Sequence, residues 1–133
     1  MNIFFSGIGG VALGPLAQIA HGAGYSVLGS GLNENLLTRE LGLSGLSVKL
    51  GQSAELIEAE HAVNPIDWFV YTAALPDDHP ELKKARELGI RTTKRDELLS
   101  FIITEKNLKL IAVSGTHGKT TTTGMLVWVL KQL

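Results

Sequence analysis

Residues Leu108 to Thr123 read LKLIAVSGTHGKTTTT, and this stretch decides the fold class that the sequence predicts. Its first six residues, 108–113, are apolar apart from one lysine, as is typical of a strand buried on both faces of a parallel sheet. A glycine-containing loop with Lys119 and Thr120 follows, and an apolar pattern with helical spacing begins near Met125. A strand, a glycine loop, a Lys-Thr pair and a helix in this order predict a phosphate-binding loop in an α/β protein.

The predicted loop would hold phosphate through backbone N–H groups and the positive end of the following helix. We expect Lys119 to reach terminal phosphates and Thr120 to offer its hydroxyl to Mg²⁺. The general pattern has a glycine where this chain has Val113, so an ordinary strand-to-helix turn is the alternative. The candidate nucleotide-binding residues are Gly115, Thr116, His117, Gly118, Lys119, Thr120 and Thr121, with Lys119 and Thr120 as the catalytic candidates.

Another glycine loop lies near the amino terminus; we call it the first glycine loop, and the loop at 115–118 the second. The short apolar strand 2–6 is followed by Gly7-Ile8-Gly9-Gly10-Val11-Ala12, which fits the pattern G-x-G-x-x-A before a helix. Gly7 permits a tight turn, Gly9 lets the backbone approach a diphosphate, and Ala12 lets the helix pack close to the strand. The loop predicts diphosphate binding, and a turn with only a packing role is the alternative.

The next strand, 25–30, ends in Gly29-Ser30-Gly31 without the acidic residue that holds a ribose in NAD-binding proteins. The first acid is Glu34, which argues against NAD. Asn33 or Asn35 could replace the acid, or both could simply shape the turn before the next helix.

Strands and helices alternate through the rest of residues 2–103, with short connections. This alternation predicts a Rossmann-like, mostly parallel sheet with helices on both faces, in which the loops 7–12, 30–31 and 72–76 meet at one crevice. Asp78, Pro80 and Glu81 predict a capped helix start with a capping box, and His79 belongs to this cap unless it acts as a base. We place the domain boundary at residue 107, so that 108–133 begins a second, ATP-binding domain.

Composition narrows the function further. The 133 residues carry a net charge of −1 and no cysteine, which excludes disulfides and thiolate metal sites and argues against general nucleic-acid or membrane-surface binding. The start of the chain has neither a basic segment nor a signal-peptide pattern, which predicts a cytoplasmic protein.

The motifs resemble those of the Mur ligase family. Gly-Thr-His-Gly-Lys-Thr-Thr at 115–121 is similar to the family's ATP loop, and Arg95 matches a family arginine. The loop at 72–75, Thr-Ala-Ala-Leu, resembles the family's Ser-Ser-Ala-Ile, and 79–82 resembles Asn-Pro-Glu-Leu. Gly31 departs from the pattern, since the family usually has an aspartate there.

The resemblance is greatest to the branch of the family that joins L-alanine to UDP-N-acetylmuramate. It implies that ATP phosphorylates the muramate carboxylate and that the amine of L-alanine attacks the acyl phosphate. The residues that it assigns to the UDP-sugar are Gly7, Ile8, Gly9, Gly10, Ser30, Thr72, Ala73, Ala74 and Arg95. A branch that uses a preformed tripeptide and a non-catalytic nucleotide-binding module are the competing interpretations. Arg95 could also be a solvated residue, and His117 could transfer a proton or only orient its loop.

The resemblance also implies that this chain is the amino-terminal part of such a ligase, without ligase activity alone. Strand 108–113 would then lack its own sheet, so we expect it to pair with the amino-terminal sheet, to swap between copies, or to drive association.

Overall fold

The computed structural model describes all 133 residues and contains five strands and six helices. Strands and helices alternate along the chain until the last two helices, which follow each other without a strand between them. Their bounds are β1 (Asn2–Ser6), α1 (Leu13–Gly22), β2 (Ser26–Gly31), α2 (Leu36–Leu43), β3 (Ser47–Leu50), α3 (Ala54–Val63), β4 (Trp68–Tyr71), α4 (Pro80–Glu87), β5 (Arg91–Lys94), α5 (Arg95–Glu105) and α6 (Lys119–Gln132). None of the helices combines the length and the apolarity that a membrane span requires.

The five strands form one parallel sheet in the order β3-β2-β1-β4-β5. The chain builds outward from β1 to β3 and then crosses to the other side of β1 to begin β4. The strand order therefore reverses between β1 and β4, where an open parallel sheet binds its ligands at the carboxyl ends of the strands. The predicted Rossmann-like parallel sheet is confirmed.

Alternate strand residues point to opposite faces of the sheet, and each face has its own apolar core. In β1, Ile3 and Phe5 pack with α1, α2 and α5, whereas Phe4 packs with α3 and α4. Trp68 and Phe69 in β4 divide between the two cores in the same way. This arrangement confirms that helices cover both faces.

Trp68 is the largest fully buried side chain. Its indole N–H donates to Thr93 Oγ1 at 2.7 Å, and Phe101 of α5 meets its ring edge-on at 5.1 Å. Arg91, the first residue of β5, places its guanidinium carbon 3.6 Å from the centroid of the Trp68 ring. These contacts attach β5 and α5 to the centre of the sheet.

The prediction of a strand at 108–113 is wrong. The segment forms no strand, and no backbone N–H group between residues 109 and 118 donates a hydrogen bond to another backbone group. A strand needs a neighbour to accept its hydrogen bonds, and the sheet ends at β3 and β5 without adding a sixth strand. The expected pairing with the amino-terminal sheet is likewise absent.

The helix that the sequence predicts after the second glycine loop does form, as α6, but none of its residues is buried. Met125 and Trp128 are 64% and 66% exposed, and Leu110 and Ile111 in the preceding segment are similarly open. Residues 108–133 therefore contribute little to the apolar cores that hold the sheet together.

Candidate functional site

The first glycine loop lies at the carboxyl end of β1, where the strand order reverses. The carbonyl of Ser30 at the end of β2 accepts from the amides of Gly7 and Ile8, at 2.9 and 2.8 Å. The amide of Gly10 bonds to the carbonyl of Gly7 at 3.0 Å, which closes the turn. Three of the four loop residues predicted to bind the UDP-sugar thus use their amides to shape the loop.

The amides that remain available belong to Gly9, Val11 and Ala12, which donate to no group of the protein. They stand directly before α1, in whose first turn Gly14 already donates to the carbonyl of Gly10 at 2.9 Å and Pro15 has no N–H. Free amides together with the positive end of a helix are a suitable environment for a phosphate oxygen. Of the loop residues in the sequence prediction, Gly9 therefore has the amide best placed for ligand binding, and Val11 and Ala12 were missed as amide donors.

A side chain at Gly9 would displace neighbouring side chains, which the sequence does not reveal. A Cβ there would lie 2.7 Å from Thr38 Cγ2 and 3.2 Å from Asn35 Nδ2, because the start of α2 packs against the loop. Asn35 caps α2 by accepting from the amide of Thr38 at 2.8 Å, and its Nδ2 reaches the carbonyl of Gly9 at 3.3 Å. Asn35 therefore shapes the start of α2, as one of the two interpretations of the sequence held.

A cavity of about 310 Å³ opens beside the loop. It is lined by four glycines and three amide side chains, namely Gly7, Gly9, Gly10, Gly31, Asn33, Asn35 and Gln52, together with Leu32. No carboxylate lines it, in keeping with the missing acid at Gly31. A Cβ at Gly31 would make only ordinary contacts, at 3.7 and 3.8 Å, so the backbone does not require glycine there.

Ser30 was predicted to touch the UDP-sugar, but it is fully buried. Its hydroxyl donates to Glu81 Oε2 at 2.9 Å and accepts from Gln52 Nε2 at 3.4 Å. In this conformation Ser30 stabilises the first glycine loop through its carbonyl, and its buried side chain is not accessible to a ligand.

Arg95 lies at the start of α5 and lines a second cavity, of about 370 Å³, together with Val11 and Ala12. The structure therefore brings Arg95, the one cationic residue predicted for the UDP-sugar, to the side of the loop that carries free amides. Asp96 lines the same cavity and balances part of its charge.

Thr72, Ala73 and Ala74 follow β4, which pairs in parallel with β1, so they lie at the same edge of the sheet as the first glycine loop. They line neither of the two cavities beside that loop. The loop after β4 and the first glycine loop therefore lie at the same edge of the sheet, as predicted. That both loops contact one ligand stays a prediction.

The second glycine loop, 115–118, is open to solvent. Gly115 and Gly118 have φ values of 148° and 76°, which side chains disfavour, and α6 begins immediately after them at Lys119. Lys119 and Thr120 are exposed and have free side chains, whereas Thr123 Oγ1 bonds to the carbonyl of Lys119 at 2.8 Å. A glycine turn before a helix with a free lysine fits a phosphate group. Thr120 can give Mg²⁺ one hydroxyl, and phosphate oxygens and water usually supply the remaining ligands.

The feature that sequence reasoning missed is Glu81. The predicted capping box at Asp78 and Glu81 is wrong, because His79 is the cap and its Nδ1 accepts from the amide of Glu81 at 3.3 Å. The Glu81 side chain instead lies fully buried at the carboxyl ends of β1 and β2. Burial raises its pKa, and hydrogen bonds from Ser6 and Ser30 offset part of that rise.

Comparison with known proteins agrees with this architecture. The sequence profile of the Mur ligase family, catalytic domain, matches residues 2–107. The UDP-N-acetylmuramate–L-alanine ligase of Caldicellulosiruptor saccharolyticus is 42% identical over 99% of this chain, and the chain spans about 28% of that protein's length.

Two solved structures share the fold. The UDP-N-acetylmuramate-alanine ligase of Thermotoga maritima has a TM-score of 0.84 and 32% identity, covering 98% of this chain and 29% of its own. A murein peptide ligase of Psychrobacter arcticus has a TM-score of 0.85 and 32% identity, covering 98% of this chain and 26% of its own. Since the family profile covers most of the sequence and the sheet has the same form, the chain belongs to the Mur ligase family.

Proposed function

We propose that these residues are the UDP-sugar-binding part of an ATP-dependent ligase that joins L-alanine to UDP-N-acetylmuramate in the synthesis of the peptidoglycan precursor. The observation that carries this proposal is the glycine loop at the switch point, where the amides of Gly9, Val11 and Ala12 have no acceptor. A diphosphate would bind these amides, and Arg95 on the adjacent cavity would add a positive charge.

The second glycine loop would bind ATP and Mg²⁺. Lys119 would neutralise terminal phosphate oxygens, and Thr120 would hold the metal ion through its hydroxyl. ATP would transfer its terminal phosphoryl group to the muramate carboxylate, and the amine of L-alanine would then displace phosphate to form the amide bond. Positioning and charge neutralisation carry most of such catalysis. Because Lys119 and Thr120 are exposed here, we propose that the 133 residues alone bind ligand without ligating it.

The division into residues 1–107 and 108–133 is part of the same proposal. It is supported by the end of the family match at residue 107 and by the lack of buried residues in α6. The cytoplasmic location and the association of copies through 108–113 stay predictions.

Ligation of a tripeptide is the second candidate. The similarity to the murein peptide ligase structure is as great as that to the alanine ligase structure, at TM-scores of 0.85 and 0.84. Assaying a longer version of the protein, extended beyond Leu133, with each amine would separate the two. Amide formation with L-alanine but not with a tripeptide supports our proposal, and the reverse result refutes it.

Titration of the 133-residue protein with UDP-N-acetylmuramate, followed by the backbone amide signals, tests the binding step. We expect the amides of Gly9, Val11 and Ala12 to shift most, while those of Gly7 and Ile8 move less because Ser30 already holds them. NAD serves as the comparison ligand, since β2 does not end in the acid that holds a ribose in NAD-binding proteins. Tighter binding of NAD than of the UDP-sugar would support a non-catalytic nucleotide-binding module and refute the ligase assignment.

A further inference from the structure

Glu81 forms a polar cluster beneath the first glycine loop. Its Oε2 accepts from Ser6 Oγ at 2.6 Å and from Ser30 Oγ at 2.9 Å, and all three residues are buried. Its Oε1 is buried without a partner in the protein, and Glu81 takes part in no salt bridge. The cluster joins α4 to the ends of two neighbouring strands, β1 and β2.

The cluster connects directly to the loop through Ser30. The hydroxyl of Ser30 is held by Glu81, and its carbonyl holds the amides of Gly7 and Ile8. Ser6, the second partner of Glu81, immediately precedes Gly7 in the chain. The loop is therefore fixed at its start and along its turn by two residues that share one carboxyl oxygen.

Core packing alone does not explain a carboxyl group at this position. Burying an acid without a cation is unfavourable, and apolar residues of similar size often give equal or greater stability. The carboxyl does supply an acceptor that two serine hydroxyls share, which an apolar side chain cannot do. What Glu81 adds is thus a fixed geometry at the carboxyl ends of β1 and β2.

We propose that Glu81 is a positioning residue for the diphosphate site, holding Ser6 and Ser30 so that the glycine loop presents its free amides to the ligand. The proposal rests on the proposed function for the identity of the ligand, UDP-N-acetylmuramate. Its structural content, that Glu81 orders the loop, is independent of that identity.

The decisive variant is Glu81→Leu, which keeps bulk and helix propensity but removes the acceptor. We expect it to fold at least as stably as the parent, yet to bind UDP-N-acetylmuramate about tenfold more weakly because two hydrogen bonds that order the loop are lost. Amide hydrogen exchange at Gly7 and Ile8 should accelerate relative to Val70 in the centre of the sheet. Glu81→Gln retains an acceptor oxygen and should recover most of the affinity.

Ile57→Val is the matched control, since Ile57 is buried in the apolar core beside α4, which contains no residue of either glycine loop. It should lower the stability while leaving the affinity and the exchange at Gly7 and Ile8 unchanged. Parental affinity and parental exchange in Glu81→Leu would overturn the proposal. If that variant does not fold, Ser6→Ala combined with Ser30→Ala removes the same two hydrogen bonds, and parental exchange at Gly7 and Ile8 in this variant overturns the proposal equally.

The two proposals fail separately in this design. If the parent does not bind UDP-N-acetylmuramate, the proposed function is wrong, and the exchange at Gly7 and Ile8 still decides whether Glu81 orders the loop. If the parent binds and Glu81→Leu binds equally well with unchanged exchange, only the role of Glu81 is refuted.

Discussion

Gly29 in β2 packs against Phe5 of β1 and against Ile8 of the first glycine loop. Replacing Gly29 with alanine tests how tightly these residues are packed. An added Cβ would stand 2.6 Å from the carbonyl oxygen of Phe5, 2.7 Å from Ile8 Cβ and 2.9 Å from Ile8 Cδ1. The φ of Gly29 is not in the left-handed region, so the cost arises from these contacts and not from the backbone conformation.

The magnitude follows from what must move. Overpacking a core costs about 1–3 kcal/mol when side chains can adjust. Here one of the clashing atoms is the backbone of the paired strand, since Phe5 is the partner of Gly29 in the register of β1 and β2. We therefore expect Gly29→Ala to lower the free energy of unfolding by about 3 kcal/mol, at the upper end of that range.

Denaturant unfolding of the parent and of Gly29→Ala measures this difference, and a melting temperature lower by about 10 °C should accompany it. Gly42→Ala is the matched control, because Gly42 lies in α2 and a Cβ there meets nothing within 4 Å. That control should raise the stability by about 0.5–1 kcal/mol. A Gly29→Ala protein within about 0.5 kcal/mol of the parent would refute the packing argument, since surface substitutions commonly have effects of this size.

Three further predictions concern charge, nucleotide binding and association. Burial raises the pKa of Glu81 above its ordinary value of 4.5, so its contribution to stability is complete below that value and is lost as the pH rises through the raised pKa. The stability of the parent relative to Glu81→Gln should therefore fall as the pH rises above 4.5, and a difference that stays constant in unfolding titrations would contradict this. Lys119→Met should weaken ATP binding by about tenfold or more in calorimetry, because a charge-assisted contact to phosphate is lost, whereas equal affinity would show that the second glycine loop does not bind ATP. Ile111→Lys, in a segment whose apolar side chains are open to solvent, should reduce association measured by light scattering, and a strictly monomeric parent would exclude association through this segment.

Most of the fold could be predicted because it depends on local patterns. The apolar runs of β1 and β4, together with the glycines near the ends of α1, α2 and α4, place most of the strands and helices of residues 2–105 within a few positions of their observed bounds. The parallel topology follows from the short connections between alternating strands and helices.

The errors occur where a residue's role depends on distant neighbours. Strand 108–113 has an apolar pattern suited to a sheet interior, but hydrophobic periodicity says nothing about whether a partner strand is present. Glu81 stands at a helix start, where acids commonly cap, and only the crossing from β3 to β4 brings it under β1 and β2. The sequence likewise does not show that the hydroxyl of Ser30 donates to Glu81. Nor does it show that the amides of Gly7 and Ile8 donate to the carbonyl of Ser30 and so are not free for a ligand.

The two tryptophans give the chain a natural pair of optical reporters. Trp68 is buried in the sheet, where Phe101 and Arg91 contact its ring, whereas Trp128 on α6 is exposed to solvent. The emission of Trp68 should be shifted to shorter wavelength and shielded from acrylamide, and that of Trp128 should be readily quenched. Fluorescence of the two single-tryptophan variants can therefore follow the unfolding of the sheet and the binding of α6 to another surface as separate events.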